Sequence, residues 1–341
     1  MGKNDNTQEK FKSKIGGQAL IEGIMMLGPT KGAMACRLPD GTVDLETWDE
    51  NNGKNALWYR KVPLVRGCTG FAISLVKGYK YMMKSAEKQM PEDEEDEKKK
   101  SKSDPGSEPA IAGEAAVSAD STAAAETAPE KKKEGSGYDI VMYLGILLGV
   151  VMALGLFVML PKWIVGLIPS VKENRFLRSL LEGVVKIVLF VVYMYLTSLM
   201  KDIRRQFMYH GAEHKTIACH EAELPLTVEN IRKQSRFHKR CGTSFIFIVL
   251  IVSIFVMCFV PFTVTWQRIV ASLVLLPLVV GISYEFIRLA GNNDNLFTRI
   301  LSAPGLAMQR ITTREPDDSM IEIAIAAMTP CIPKDKEEDK W

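Results

Sequence analysis

The chain has 341 residues, 47% of them hydrophobic, and a formal net charge of +3. That length leaves room for two domains, while the net charge says little by itself because charge is segregated along the chain. The six cysteines (36, 68, 219, 241, 258 and 331) have no CxxC and no framework spacing, which excludes a disulfide scaffold and points to reduced thiols on the cytoplasmic side.

Residues 1–14, "MGKNDNTQEKFKSK", are polar with no apolar stretch behind them, so a disordered tail is expected rather than a signal peptide. Residues 15–89 read as a small strand and helix domain. "IGGQALIEGIMMLGP" suits a tight, backbone-driven segment, and "ACRLPDGTVDLETW" places two short apolar runs around a Pro-Asp-Gly turn, a hairpin signal. Pro63 then opens an amphipathic helix over 63–89, with Val65, Cys68, Phe71, Leu75, Tyr79 and Met82 on one face. It is either a core helix of an α+β domain or a helix lying on a membrane surface. Residues 90–137 pass from "PEDEEDE" to "KKKSK" and then to Ala, Ser, Glu and Pro. Such a tract buries too little apolar area to offset its ordering entropy, so a disordered linker is expected.

After the linker the pattern changes to that of a membrane domain over 138–290. Four spans are expected, at about 140–160, 176–200, 243–266 and 269–287. The first carries a small-residue face of Gly145, Gly149 and Ala153, suited to helix packing. The second carries Glu182 and Lys186 at i,i+4, either an intramembrane ion pair or two groups snorkelling to the interface. Residues 319–328, "SMIEIAIAAM", are too short to cross, and 291–341 reads as a cytoplasmic C-terminal segment. The loop 201–242 holds nine Lys or Arg, against three at 161–175 and none between Pro261 and Gln267. By the positive-inside rule this puts both termini and the 201–242 loop in the cytoplasm. The fold class expected is an α-helical integral membrane protein with four transmembrane helices and a small cytoplasmic α+β domain.

Three of the four histidines fall in "YHGAEHKTIACHE", residues 209–221. His210, Glu213 and His214 form H-x-x-E-H. On a helix, i and i+4 set both imidazoles on one face, and the carboxylate at i+3 sits where a general base is needed. This is the inverted zincin spacing. Gly211 weakens the helix by about 1 kcal/mol relative to alanine. A further ligand must return from elsewhere: His238, Cys241 or Glu285, with a site built from Cys219 or His220 plus His238 and Cys241 as an alternative. The plain alternative is that Glu213 simply pairs with Lys215 or Arg205.

The segments "GGQALIEGIMMLGP", "PLVRG", "YHGAEHKTI", "LTVENIRKQSRFHKRCGTSF", "ISYE" and "APGLAMQRITTREPDD" with "EIAIAAM" resemble, in order and over nearly the whole chain outside the linker, the bacterial domain-of-unknown-function family 1385. That family is labelled a predicted metal-dependent enzyme. The resemblance implies a multi-pass protein of the bacterial cell membrane and carries over His210, Glu213, His214, His238, Cys241 and Glu285, with Glu22 as a further polar group. The expected function is a metal-dependent, hydrolytic membrane enzyme. Glu213 is its base, and a divalent ion such as zinc is held by His210, His214 and His238 with Cys241 or Glu285. The alternative is a non-catalytic scaffold in membrane-protein biogenesis. Its basic loop would dock anionic lipid, RNA or the ribosome. Membrane lipids, a second copy or a membrane-protein partner complete the expected partners.

Overall fold

The computed structural model describes residues 11–50, 57–90, 136–171, 174–293 and 295–340. Most of the tract expected as a linker over 90–137, and most of the tail over 1–14, lie outside them. The protein is mostly helical, with a four-stranded sheet near its N-terminus. It divides into two units. Residues 90–155 contain helix α2 (Ser136–Leu154), while residues 1–89 and 156–341 contain the strands and the other described α-helices.

The sheet is an antiparallel meander of β1 (Gly16–Leu20), β2 (Gly23–Leu27), β3 (Lys31–Arg37) and β4 (Val43–Asp49), in chain order. Its turns follow from local chemistry. Gly41 takes φ +87°, open to glycine at little cost, and Asp40 Oδ1 accepts the Thr42 N–H at 2.8 Å. Between β1 and β2 the turn residue Glu22 sits at φ +49°, which costs a non-glycine residue about 1 kcal/mol.

Both faces of the sheet are covered, which explains the unbroken apolar run in β2. Ile24, Met26, Ala33 and Ala35 pack against α5 (Lys201–Glu221) and α11 (Asp318–Met328), in a core with Tyr209, Ile217, Ile321 and Ile323. Leu20, Met25, Met34 and Cys36 point the other way, onto Tyr81 of α1 (Val65–Glu87). Helix α1 is therefore a core helix at its C-terminal end. The segment 319–328, too short to cross a bilayer, forms the most deeply buried helix of this body.

The apolar helices are α3 (Leu160–Gly166), which α2 reaches through a π-turn at Gly155–Met159, α4 (Arg175–Thr197), α7 (Gly242–Cys258), α8 (Thr265–Val274) and α9 (Leu276–Asn292). Two stretches, Leu147–Gly166 and Arg175–Thr197, are long and apolar enough to cross a membrane, and a third is reached if α8 and α9 count as one span bent by 52°. The third expected span is shorter than its apolar run: α7 stops at Cys258, ahead of Pro261, after 17 residues. The fourth is broken at Leu275, where Pro277 cannot supply an N–H. Helix α7 packs against α4, α9 and α10 (Leu296–Thr312), and α1 runs from the α9 surface to the sheet. The short helices α6 (Val228–Arg232) and α12 (Lys336–Asp339) complete the body.

Candidate metal centre

Helix α5 carries the histidine motif through the protein interior rather than along a surface. Tyr209, Gly211 to Ile217 and Cys219 are all buried. Polar side chains in such a place must each find a partner, and most do. Lys215 Nζ donates to the Arg232 carbonyl at 2.9 Å and pairs with Glu315 at 2.7 Å, while Thr216 Oγ1 donates to the Ala212 carbonyl at 2.8 Å. Arg205 pairs with Glu22, which also accepts from Tyr209 Oη at 3.1 Å and so ties the strained β1–β2 turn to the helix. The suspected pairing of Glu213 with Lys215 or Arg205 does not occur, because both cations are engaged elsewhere.

The rings of His210 and His214 lie 4.4 Å apart, as i,i+4 spacing requires. Each is fixed by its Nδ1, which approaches a main-chain carbonyl: Thr312 at 2.8 Å for His210, Arg236 at 2.6 Å for His214. A carbonyl only accepts, so Nδ1 carries the proton and Nε2 is the donor atom turned inward. Cys241 completes the group. It is the N-cap of α7, and its Sγ lies 3.3 Å from His210 Nε2. One donor atom from each of His210, His214 and Cys241 lies within 4.8 Å of the others.

Three chain segments converge to make this possible. Gln309 clamps the loop before α7, accepting the His238 N–H at 2.8 Å and donating to the His238 carbonyl at 2.7 Å and to Ser244 Oγ at 2.9 Å. Gly211 lets residues 312–314 lie directly on α5, since a methyl group there would overlap the Arg314 carbonyl. The helix penalty of Gly211 is thus the cost of bringing the Thr312 carbonyl to His210. Neither Gln309 nor Gly211 is marked by sequence as part of a site; the glycine within a helical motif is the one visible signal.

Electrostatics favour a thiolate. Burial alone would raise the Cys241 thiol, but His214 and His210 outweigh it and hold it well below the usual thiol range. Burial acts to lower His210, yet the neighbouring Cys241 pushes it up to about 9. The two shifts run in the directions that a thiolate beside a positively charged neighbour produces. Glu213 is pushed up by burial, against the opposing pull of His210 and His214. Its Oε2 is buried with no hydrogen-bond partner, one of three such side-chain atoms among the described residues. Gly17 lies against this carboxylate, leaving no room for a side chain.

The donor set fits a zinc-class ion. Bonds of about 2.3 Å to sulfur and about 2.0 Å to nitrogen at tetrahedral angles separate two donors by about 3.5 Å, close to the observed His210–Cys241 spacing. The remaining sequence candidates lie outside the triad. His238 stands beside His214, ring to ring at 5.7 Å, but its Nε2 faces Glu221 Oε2 at 3.4 Å. Glu285 is not brought to the site: it pairs with Arg66 of α1. Cys219 Sγ faces the carbonyl of Pro225 at 3.6 Å, and His220 Nε2 contacts Asp339 at 2.7 Å, so neither joins the cluster.

The family model described as "Protein of unknown function (DUF1385)" matches residues 62–334. The chain belongs to this family. Over 322 residues it is 31% identical to "Uncharacterized protein YqhQ" of Bacillus subtilis (strain 168), covering 94% of this chain and 92% of that protein. No solved structure matches it. The family match spans α1, the whole histidine helix, Cys241 and α11, and leaves the strands outside it.

Proposed function

We propose that this member of the family is a membrane-embedded, metal-dependent hydrolase with its reaction centre at His210, Glu213, His214 and Cys241. The observation that carries the reading is the inward-facing donor group, with both imidazoles anchored through Nδ1 and a buried carboxylate oxygen left unpartnered beside them. A zinc-class ion held by the two histidines and the cysteine supplies Lewis acidity and an acidified water. Glu213 takes up a proton at Oε2, a role suited to a carboxylate whose affinity for protons burial has raised. Gly17 lies directly against the Glu213 carboxylate, and Glu213, His214 and Cys241 are buried. The scaffold reading rests on a free polybasic loop, and at least six of the nine basic residues at 201–242 are already ion-paired within the protein.

The same reading places four crossings in the bilayer: α2–α3, α4, α7 and the bent α8–α9, with the sheet, α5 and α11 on the cytoplasmic side. The charge asymmetry of the loops supports this. In intact cells an impermeant maleimide should then label Asn174→Cys and spare Lys233→Cys; the reverse pattern would invert the topology.

Glu213→Gln tests the chemistry. The amide keeps the shape but cannot accept a proton, so the purified variant should retain its metal and fail to restore function to a deletion strain. Loss of metal in Glu213→Gln would make Glu213 a ligand and remove the base. Metal-free wild-type protein would sink the reading entirely.

A further inference from the structure

A second group of charges lies at the far end of α4 and α7, away from the histidines. Glu182, in the second turn of α4, is buried and accepts from Arg178 Nε at 3.0 Å and from Arg268 Nε and Nη2, each at 3.1 Å. Of the two readings of Glu182 and Lys186, neither is the arrangement seen: Glu182 is buried and its hydrogen bonds come from these two guanidinium groups. Arg268 is fully buried and also donates to Ser179 Oγ at 2.8 Å and to the Phe262 carbonyl at 3.2 Å. Arg178 donates to Thr265 Oγ1 at 3.1 Å and to the Thr263 carbonyl.

Lys162 of α3 interacts electrostatically with Lys186, Glu182, Arg268 and Arg178 together. It is 2% exposed, yet no hydrogen bond or ion pair among the described residues engages its ammonium group. The cluster thus sets four cations against one described carboxylate. In a stretch of helices apolar enough for a bilayer, such a surplus calls for an anion.

An apolar cleft of about 710 Å³ adjoins it, lined by Val256, Phe259, Phe262, Trp266, Val270 and Val274. The two features share the α7–α8 connection: Phe262 lines the cleft with its ring and holds Arg268 with its carbonyl. Trp266 is exposed at its rim, where an indole suits the headgroup level of a bilayer.

We propose that Lys162, Arg178, Lys186 and Arg268 bind the phosphate of an anionic phospholipid whose acyl chains lie in the cleft between α7 and α8. The site takes one lipid, with Lys162 as the group that meets the phosphate directly. The two arginines, held in place by Glu182 and by main-chain carbonyls, supply fixed positive charge behind it. It stands along α7 from Cys241 by roughly 25 Å, from 17 residues at 1.5 Å each, and it does not depend on the metal reading.

The test uses the full chain purified in a neutral detergent, with thermal unfolding followed during titration. Phosphatidylglycerol, phosphatidylcholine with the same chains, and inorganic phosphate are compared. Phosphatidylglycerol should raise Tm saturably. Lys162→Met should weaken that effect about tenfold or more, the loss of one charge-assisted hydrogen bond, and Lys162→Arg should keep it. A cooperative unfolding transition without added lipid reports that the fold of each variant is intact; if Lys162→Met fails this control, Lys186→Gln takes its place. Equal stabilisation by phosphatidylcholine would show that the cleft reads chains alone. Stabilisation by inorganic phosphate with no lipid preference would remove the lipid. An unchanged response in both lysine variants would make the cluster purely structural. Each of these three results overturns the proposal.

Discussion

Cys241 Sγ and His210 Nε2 lie 3.3 Å apart although 31 residues separate them in the chain, and the contact joins the N-cap of α7 to the middle of α5. The position matters chemically. A thiolate at a helix N-terminus faces the positive end of the helix dipole, and two imidazoles add to that field. The same residue that caps α7 therefore brings the third candidate donor to the two histidines.

The donor set discriminates between the sequence candidates. His210→Ala, His214→Ala and Cys241→Ala should each lower metal affinity by more than about 100-fold, beyond the loss of a supporting contact. His238→Ala and Glu285→Gln should leave metal content unchanged, because their side chains serve Glu221 and Arg66. Elemental analysis of the five purified variants checks this, and a metal-free Glu285→Gln would refute the assignment.

Gly211→Ala is the smallest change that should disturb the site without touching a donor. The added methyl meets the Arg314 carbonyl, so residues 312–314 must lift away from α5 and take the Thr312 carbonyl from His210. Metal affinity should fall about 10-fold or more, as for the loss of a partner that orients a ligating histidine. An isolated helix would instead gain about 1 kcal/mol from this substitution, so a stabilised variant with full metal would show that the contact is unimportant.

Chelation should change thiol reactivity at one position. With a cation bound, Cys241 is blocked; with it removed, the thiolate is the reactive form. Iodoacetamide at pH 7 followed by peptide mass mapping should then modify Cys241. Cys36 and Cys331 should stay unmodified, since burial pushes their thiols up to about 11 and about 12. Uniform labelling with and without chelator would argue that Cys241 holds no metal.

Glu221 should make stability depend on acidity. Burial acts to raise its carboxyl, but His238, Arg240 and the Ser13 N–H outweigh that and hold it below its ordinary value of 4.5. A depressed folded-state value means the stabilisation is complete above the ordinary value and is lost as pH falls through the folded one. Glu221→Gln removes the carboxylate that faces Arg240 and His238 and should lower Tm at pH 7. Its Tm should also fall less steeply than wild type from pH 5 to pH 3. Parallel Tm curves would assign the acid sensitivity to other groups.

The periodic parts of the fold were legible in the sequence because their signals are local. A Pro-Asp-Gly turn marks the β3–β4 hairpin, uninterrupted apolar runs mark the helices suited to a bilayer, and i,i+4 spacing sets His210 and His214 on one helical face. Where a local signal was overridden, a proline was responsible: Pro261 and Pro277 cut two apolar runs into α7 and the bent α8–α9 pair.

What closes the site could not be read the same way. His238, Cys241 and Glu285 were equivalent as returning ligands, since spacing within one helix says nothing about which distant segment packs on it. Tertiary packing brought Cys241 to the histidines: Gln309 fixes the loop ahead of α7, Gly211 admits residues 312–314, and Glu285 on α9 is paired with Arg66 of α1 instead. The second cluster has the same origin. Glu182 and Lys186 announce themselves at i,i+4 in an apolar helix, but Arg178 was not marked, and Lys162 and Arg268 join them only because α3, α4 and the α7–α8 turn meet at one end of the helices. Sequence determined which side chains each element presents, because that follows from helical and strand periodicity. Only the folded chain decided which of them meet, because contacts between elements are set by burial and close packing across the whole core.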